Sequence, residues 1–220
     1  MSTTLQIDFV SDVACPWCAV GLGALEQALA TLDGEVQATL QFQPFELNPT
    51  MGPGGQDMTE HLTEKYGSTP EQQAQIRETI RQRGAEVGFT FKPEGRGRIW
   101  NTFDAHRLLH WAGLQGAEQQ RALKKELLAA YHGRAENVSD PDVLARCCAA
   151  VGLDEDQAHA ILASEDYALE VRQAEQLWQG SGIRSVPAVV INRQYLISGG
   201  QPAAVFEDAL RKIAAGPAST

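Results

Sequence analysis

The chain is poor in cysteine: four in 220 residues are too few to staple a scaffold, so they are expected as reactive or buried thiols. It has no apolar run approaching the ~20 residues that a transmembrane helix needs. Its opening, Met1-Ser2-Thr3-Thr4-Leu5, carries no basic stretch and no long apolar core, so neither a secretory leader nor a membrane anchor is expected and the reading is a cytoplasmic chain. Positive charge is also short. The 18 Lys and Arg against 28 Asp and Glu leave a net charge of −10, which argues against nucleic acid or an anionic membrane as the main partner. No fixed period links the helix starts, which excludes a solenoid. An apolar fraction of 43% and a length of 220 residues suit one globular domain, alone or carrying an inserted lobe.

Against that background, two of the cysteines stand in Val13-Ala14-Cys15-Pro16-Trp17-Cys18-Ala19-Val20. The preceding Leu5-Gln6-Ile7-Asp8-Phe9-Val10 has a strand pattern, and Leu22, Leu25, Ala28, Leu29 and Leu32 recur at helical spacing up to Gly34. Cys15 therefore falls at a strand-to-helix junction. Pro16 fits the first helical position, where a missing N–H is no loss, and this makes Cys15 the N-cap. The free N–H groups of Trp17 and Cys18 and the positive end of the helix dipole then face its sulfur and favour the thiolate. Cys18 lies one turn on, deeper in the helix, and reads as the resolving thiol. A zinc half-site is the competing reading, but it needs a second ligand pair at similar spacing. The remaining cysteines, Cys147 and Cys148, are adjacent, so no metal is expected.

Val36 to Phe45 alternates as a second strand and ends in the turn-rich run Asn48 to Gly55. From about residue 56 to 181 helix starts dominate: Thr69-Pro70-Glu71-Gln72, Asn101-Thr102-Phe103-Asp104, a helix over Glu118 to Tyr131, Ser139-Asp140-Pro141-Asp142, then Asp154 and Ser164. The strand pattern returns at Ala188 to Ile191 and Tyr195 to Ser198, a hairpin across Asn192-Arg193-Gln194, and a helix from Pro202 to Ala215 follows. The order predicts an α/β fold with a central mixed sheet. Residues 1–55 plus 166–220 form the sheet domain, and 56–165 form a large all-helical insertion after the second strand, expected to pack over the Cys15 end of the first helix.

On Ser11-Asp12-Val13-Ala14-Cys15-Pro16-Trp17-Cys18, Phe45-Glu46-Leu47-Asn48-Pro49, Asn101 to Leu108, and Val186-Pro187 with Ile197 to Gln201 behind it, the chain resembles the thioredoxin-fold oxidoreductases of the DsbA type, specifically the cytoplasmic FrnE-like subgroup. The resemblance runs from about residue 5 to 212. It implies a thioredoxin-like sheet, a thiol–disulfide oxidoreductase with Cys15 and Cys18 as its catalytic pair, and Pro187 as a cis-proline beside them. It also implies that the Val186 backbone faces the cysteines, where an extended peptide can pair with it. Pro16, Trp17, Val186 and His106 are the expected substrate-contacting residues. The implied partners are disulfide-containing peptides, proteins or small molecules. No bound cofactor is expected, and glutathione or a thioredoxin-like reductant is the expected co-substrate. The chain departs from some relatives in having Ala19 after the second cysteine, Trp17 where periplasmic relatives carry histidine, and no cysteine after Gln201. A strongly oxidising potential is therefore not carried over.

Other candidates weigh less. Cys147 and Cys148 lie on an apolar helix face with Val143, Leu144 and Val151 and read as buried, inert thiols. His106 and His110 have a spacing that can hold a metal but lack a third ligand, so a core or lobe-interface position is expected. Asp12 could relay protons to Cys18, though as a solvated loop acid it needs no such role. Gly95-Arg96-Gly97-Arg98 reads as a loop and not a phosphate cradle, because no strand leads into it. The alternative function is a glutathione-dependent isomerase or transferase of the kappa-class or hydroxychromene-carboxylate isomerase type. Those relatives carry serines at the positions of Cys15 and Cys18.

Overall fold

The computed structural model describes residues 3–216. Strand β1 (Thr3–Ser11) runs parallel to β2 (Val36–Pro44) and antiparallel to β5 (Ala188–Ile191), which pairs in turn with β6 (Tyr195–Ser198). The sheet order is β2-β1-β5-β6. Side-chain alternation sends Leu5, Ile7 and Phe9 of β1, with Val189 and Ile191 of β5, to a core shared with helices α1 (Pro16–Thr31) and α9 (Ala203–Ala215). Within it the Phe9 and Phe42 rings meet edge-on at 5.7 Å. Val10, Ala188 and Val190 point the other way, to Trp178 of α8 (Ala168–Gly180) and Ile183. Because β5 is covered on both faces, its four residues are all buried, which is why Ala188 to Ile191 reads as an unbroken apolar run. At the hairpin, Asn192 and Arg193 take left-handed φ of 52° and 55°, a conformation that asparagine tolerates. The Asn192 side chain accepts from the Gln6 N–H and its own N–H donates to the Gln6 carbonyl, carrying the β1–β5 ladder one step further.

Between β2 and α8 lie β3 (Gln56–Asp57), α2 (Met58–Tyr66), α3 (Pro70–Glu86), β4 (Arg98–Ile99), α4 (Phe103–Gln115), α5 (Ala117–Leu128), a π-helical turn (Ala129–Gly133), α6 (Pro141–Ala150) and α7 (Glu155–Leu162). Their starts are set by local chemistry. Asp57, Asp140 and Asp154 cap α2, α6 and α7, and Thr69 with Gln72 forms a reciprocal capping box on α3. The expectation that a helix begins at Ser164 is corrected: its hydroxyl accepts from the Asp166 N–H and its carbonyl is held by Arg107, so the chain turns and α8 begins only at Ala168. Besides its helices the insertion carries the two-residue ladder of β3 against β4, too short to leave a periodic signal.

The insertion has its own core, built from Leu108, Leu123, Leu127, Tyr131, Leu144 and Ile161 among others, and Val13 and Ala14 belong to it. The two residues before Cys15 are thus packed into the helical lobe, whereas Cys15 and Cys18 belong to the sheet core. Cys147 and Cys148 are buried in the lobe core, and burial pushes their thiols up to about 11 and about 12. Neither is a nucleophile at neutral pH.

Candidate active site

Cys15 caps α1 with extended backbone, φ −90° and ψ 113°, and Pro16 occupies the first turn. Cys15 is 4% exposed and Cys18 0%, and both are free thiols. In the neutral state the Cys15 thiol donates to the Val186 carbonyl at 3.5 Å. The two sulfurs are held oppositely. A hydrogen bond from the Cys18 thiol lowers the Cys15 pKa, burial opposes it, the N–H groups of Cys18 and Trp17 lower it further, and the Asp12 charge works against them; the net direction is down. Cys18 is pushed well above the ordinary thiol value, by burial first and by the adjacent Cys15 next. One negative charge on the pair therefore resides on Cys15, with Cys18 as its donor.

Behind the pair, Asp12 is fully buried, which corrects its reading as a solvated loop acid. Its carboxylate accepts from the Ala14 N–H at 3.0 Å, the Thr102 hydroxyl at 2.8 Å and the Leu47 N–H at 2.7 Å. Burial raises its pKa, but His106 and these N–H groups outweigh it and the net direction is down. Asp12 thereby ties the loop before Cys15 to the exit of β2 and to the start of α4. His106 is placed away from the expected cleft position. It is 2% exposed, its Nε2 stands 3.5 Å from Asp12 Oδ1, and it lines a second cavity of about 250 Å³ with Gln41, Gln43 and Lys124. The reason is local: Asp12 draws Thr102 beneath the loop, and helical spacing sets His106 one turn further on the same side. Lys124 of α5 is fully buried, and its Nζ meets no acceptor among the described residues. Burial lowers its pKa while Cys18, Asp12 and Cys15 raise it, with a net downward shift.

In front lies a cleft of about 720 Å³. Cys15, Pro16, Trp17 and Val186 line it from the sheet domain, and Met58, Tyr66, Phe91 and Arg96 line it from the insertion. Pro187 follows a cis peptide bond and packs so closely on α1 that a Cβ at Gly21 would stand 3.1 Å from its Cγ. Gly200 gives Trp17 similar room, since a Cβ there would lie 3.1 Å from the Trp17 carbonyl. Two cleft residues, Arg96 and His132, are given no part in the site by the sequence reading. Arg96 Nη1 donates to the Ala14 carbonyl at 2.7 Å and lies 3.1 Å from His132 Nδ1, while His132 Nε2 lies 2.8 Å from the Val13 carbonyl. A carbonyl only accepts, so Nε2 carries the proton and Nδ1 accepts from Arg96. Burial, with the Arg96 charge, pushes His132 well below the ordinary histidine value, and it stays neutral. Of the glycine-flanked arginine run, Gly95 to Gly97 is a loop, as expected, while Arg98 opens β4, and Arg96 holds the motif from that loop.

This geometry sits in a chain whose residues 6–211 match the model of the DSBA-like thioredoxin domain. The chain belongs to the DSBA-like thioredoxin domain family. The crystal structure of a probable DsbA oxidoreductase from Streptomyces coelicolor, SCO1869, superposes with a TM-score of 0.90 at 32% identity, covering 98% of this chain and 92% of that one. The uncharacterized protein YwbO of Bacillus subtilis is 27% identical over 208 residues, 94% of this chain and 96% of its own length. The cytosolic disulfide reductase DsbM of Pseudomonas aeruginosa, solved with GSH, shares the fold with a TM-score of 0.62 at 16% identity, covering 94% of this chain and all (100%) of that one. Family and neighbours support a thiol–disulfide oxidoreductase in general. Among the described residues no helix is long and apolar enough to cross a membrane.

Proposed function

We propose that the protein is a dithiol–disulfide oxidoreductase or isomerase working through Cys15-Pro16-Trp17-Cys18 on peptide or small-molecule disulfides. The observation that supports this best is the split between the two thiols, one held toward thiolate at the cleft and the other held protonated behind it. In the reducing direction the Cys15 thiolate attacks one sulfur of a disulfide RSSR, forming a Cys15–S–S–R bond and releasing RS⁻. Cys18 then gives up its proton and attacks the Cys15 sulfur, expelling the second RS⁻ and leaving a Cys15–Cys18 disulfide. Two electrons pass from the protein to the substrate, and glutathione or a thioredoxin-like reductant returns them. A disulfide reductase of this fold has been solved with GSH, which supports glutathione in that role. In a cytoplasmic setting the pair is kept reduced and acts as a reductant or isomerase. In this reading residues 1–55 plus 166–220 carry the thiols and Pro187, and residues 56–165 form the substrate-facing wall. Val186 offers its backbone to an extended substrate. A pair of neighbouring thiols favours dithiol exchange over the isomerase or transferase alternative, which uses no second sulfur.

The test is mass spectrometry of single-cysteine variants after one turnover. Cys18→Ser should accumulate a mixed disulfide on Cys15, and Cys15→Ser should react with no disulfide. Equal turnover by both variants and by the parent protein would place the activity elsewhere.

A further inference from the structure

The cleft in front of Cys15 has a charge composition opposite to that of the chain. Lys65, Arg77, Arg81, Lys92, Arg96 and Arg184 line it, whereas Glu46 is its only acidic residue among the described residues. Six of the 18 cationic side chains thus meet one of the 28 acidic ones, and Glu46 is already engaged by Arg172. Four of the six cations have protein partners. Lys65 bonds the Leu47 carbonyl and Asn48, Arg81 pairs with Glu78, Arg96 holds Ala14, and Arg184 caps the carbonyls of Gln179 and Ile183. Arg77 of α3 and Lys92, both half-buried, make no side-chain hydrogen bond or ion pair with any described residue. The Arg77 guanidinium lies over Gly95, where a Cβ would stand 3.9 Å from its Nη1. Met58, Leu62, Ile80 and Phe91 add apolar surface to the same cleft.

Resting on the exchange reading above, we propose that the cleft selects small anionic disulfides, in which carboxylates flank the sulfurs of an otherwise apolar body, and that Arg77 and Lys92 are the residues that receive those carboxylates. A low-dielectric cleft lined by one sign of charge focuses its field and concentrates ligands of the opposite sign. Two half-buried cations that pair with no anion among the described residues are the groups that a carboxylate can pair with at no loss to the fold. The volume of about 720 Å³ is that of a site for one small molecule, within the ~300–1,000 Å³ usual for such pockets.

The experiment uses the reduced full-length protein and three aliphatic disulfides: dithiodipropionate as the dianion, hydroxyethyl disulfide as the neutral compound and cystamine as the dication. Oxidation of Cys15 and Cys18 is followed by acid quench and mass spectrometry, and each rate is divided by that compound's rate with dithiothreitol. The normalised rate for the dianion should exceed that for the dication by about tenfold or more at low ionic strength, and the ratio should shrink as salt is added. In Arg77→Gln/Lys92→Gln that ratio should fall at least about threefold, while Arg211→Gln/Lys212→Gln, which removes the same charge from exposed α9, should keep it. Equal normalised rates for the three compounds in the parent protein, or equal losses in the two double variants, would overturn this inference and leave the exchange reading standing. No oxidation by any of them would overturn both.

Discussion

Arg96 and Ala14, 82 positions apart, are joined by a 2.7 Å hydrogen bond from the guanidinium to the carbonyl one residue before Cys15. Together with the His132–Val13 bond it fastens the loop before Cys15 to the helical insertion. The placement of Cys15 is therefore a property of both parts of the chain. Hydrogen bonds to charged groups contribute ~1.5–3 kcal/mol, so Arg96→Ala should lower stability by about 2 kcal/mol in urea unfolding. It should also speed hydrogen exchange at the Cys15 amide, which donates to the Asp12 carbonyl at 3.2 Å. Unchanged exchange there would show that the loop is held without Arg96.

Cys15 should be alkylated by iodoacetamide with a midpoint below the ~8.5 of a free thiol, because the Cys18 thiol and two backbone N–H groups outweigh the burial and the Asp12 charge that oppose them. In Cys18→Ala the first of those contributions disappears and the midpoint should rise. A parent midpoint at or above the free-thiol value would refute the asymmetry.

His132 supplies a pH dependence of stability. Its folded-state pKa is depressed, so below the unfolded value of ~6.5 the unfolded chain binds a proton that the folded chain refuses. Stability should fall as pH drops below that value, with this one group contributing up to about 1.4 kcal/mol per pH unit. His132→Gln should be less stable at neutral pH and should show a shallower slope between pH ~6.5 and ~5, read from urea midpoints. A slope equal to that of the parent would show that His132 takes up its proton without unfolding.

What could be read from sequence was local. The helix entry at Cys15-Pro16, the capping box at Thr69 and the period of β1 and β2 each depend on residues within one turn or one strand, and all four main strands were placed. The misjudged residues are those whose surroundings come from distant segments. Asp12 beside a loop motif carries no mark of burial until Thr102 and Leu47 close over it. His106 followed the family-matched stretch into the right helix but not to the right wall. Lys124 stands in Leu123-Lys124-Lys125, where two adjacent lysines suggest a solvated face, yet only Lys125 reaches solvent, paired with Glu26. The π-helical turn after α5 delivers His132 to Val13, and no composition signal announces such a turn.

Lys124 should control the second chemical step more than the first. It is the cation whose charge favours the Cys18 thiolate, and Cys18 must lose its proton before it can attack the mixed disulfide. Lys124 also lines the rear cavity of about 250 Å³ and does not line the cleft in front of Cys15. Lys124→Met keeps the side-chain volume, removes the charge and leaves no polar atom buried without a partner. Decay of the Cys15 mixed disulfide should slow at neutral pH, since without the Lys124 charge a smaller fraction of Cys18 is thiolate. The deficit should close as pH is raised, because hydroxide then ionises Cys18 without help. The Cys15 alkylation midpoint should stay within about half a unit, inside the ~1 unit scatter of measured values. Both steps can be followed in one single-turnover experiment, with the mixed disulfide and the Cys15–Cys18 disulfide separated by mass. Equal decay in the parent and Lys124→Met at every pH would mean that Cys18 passes its proton along another route, with Asp12 as the remaining buried acid beside it.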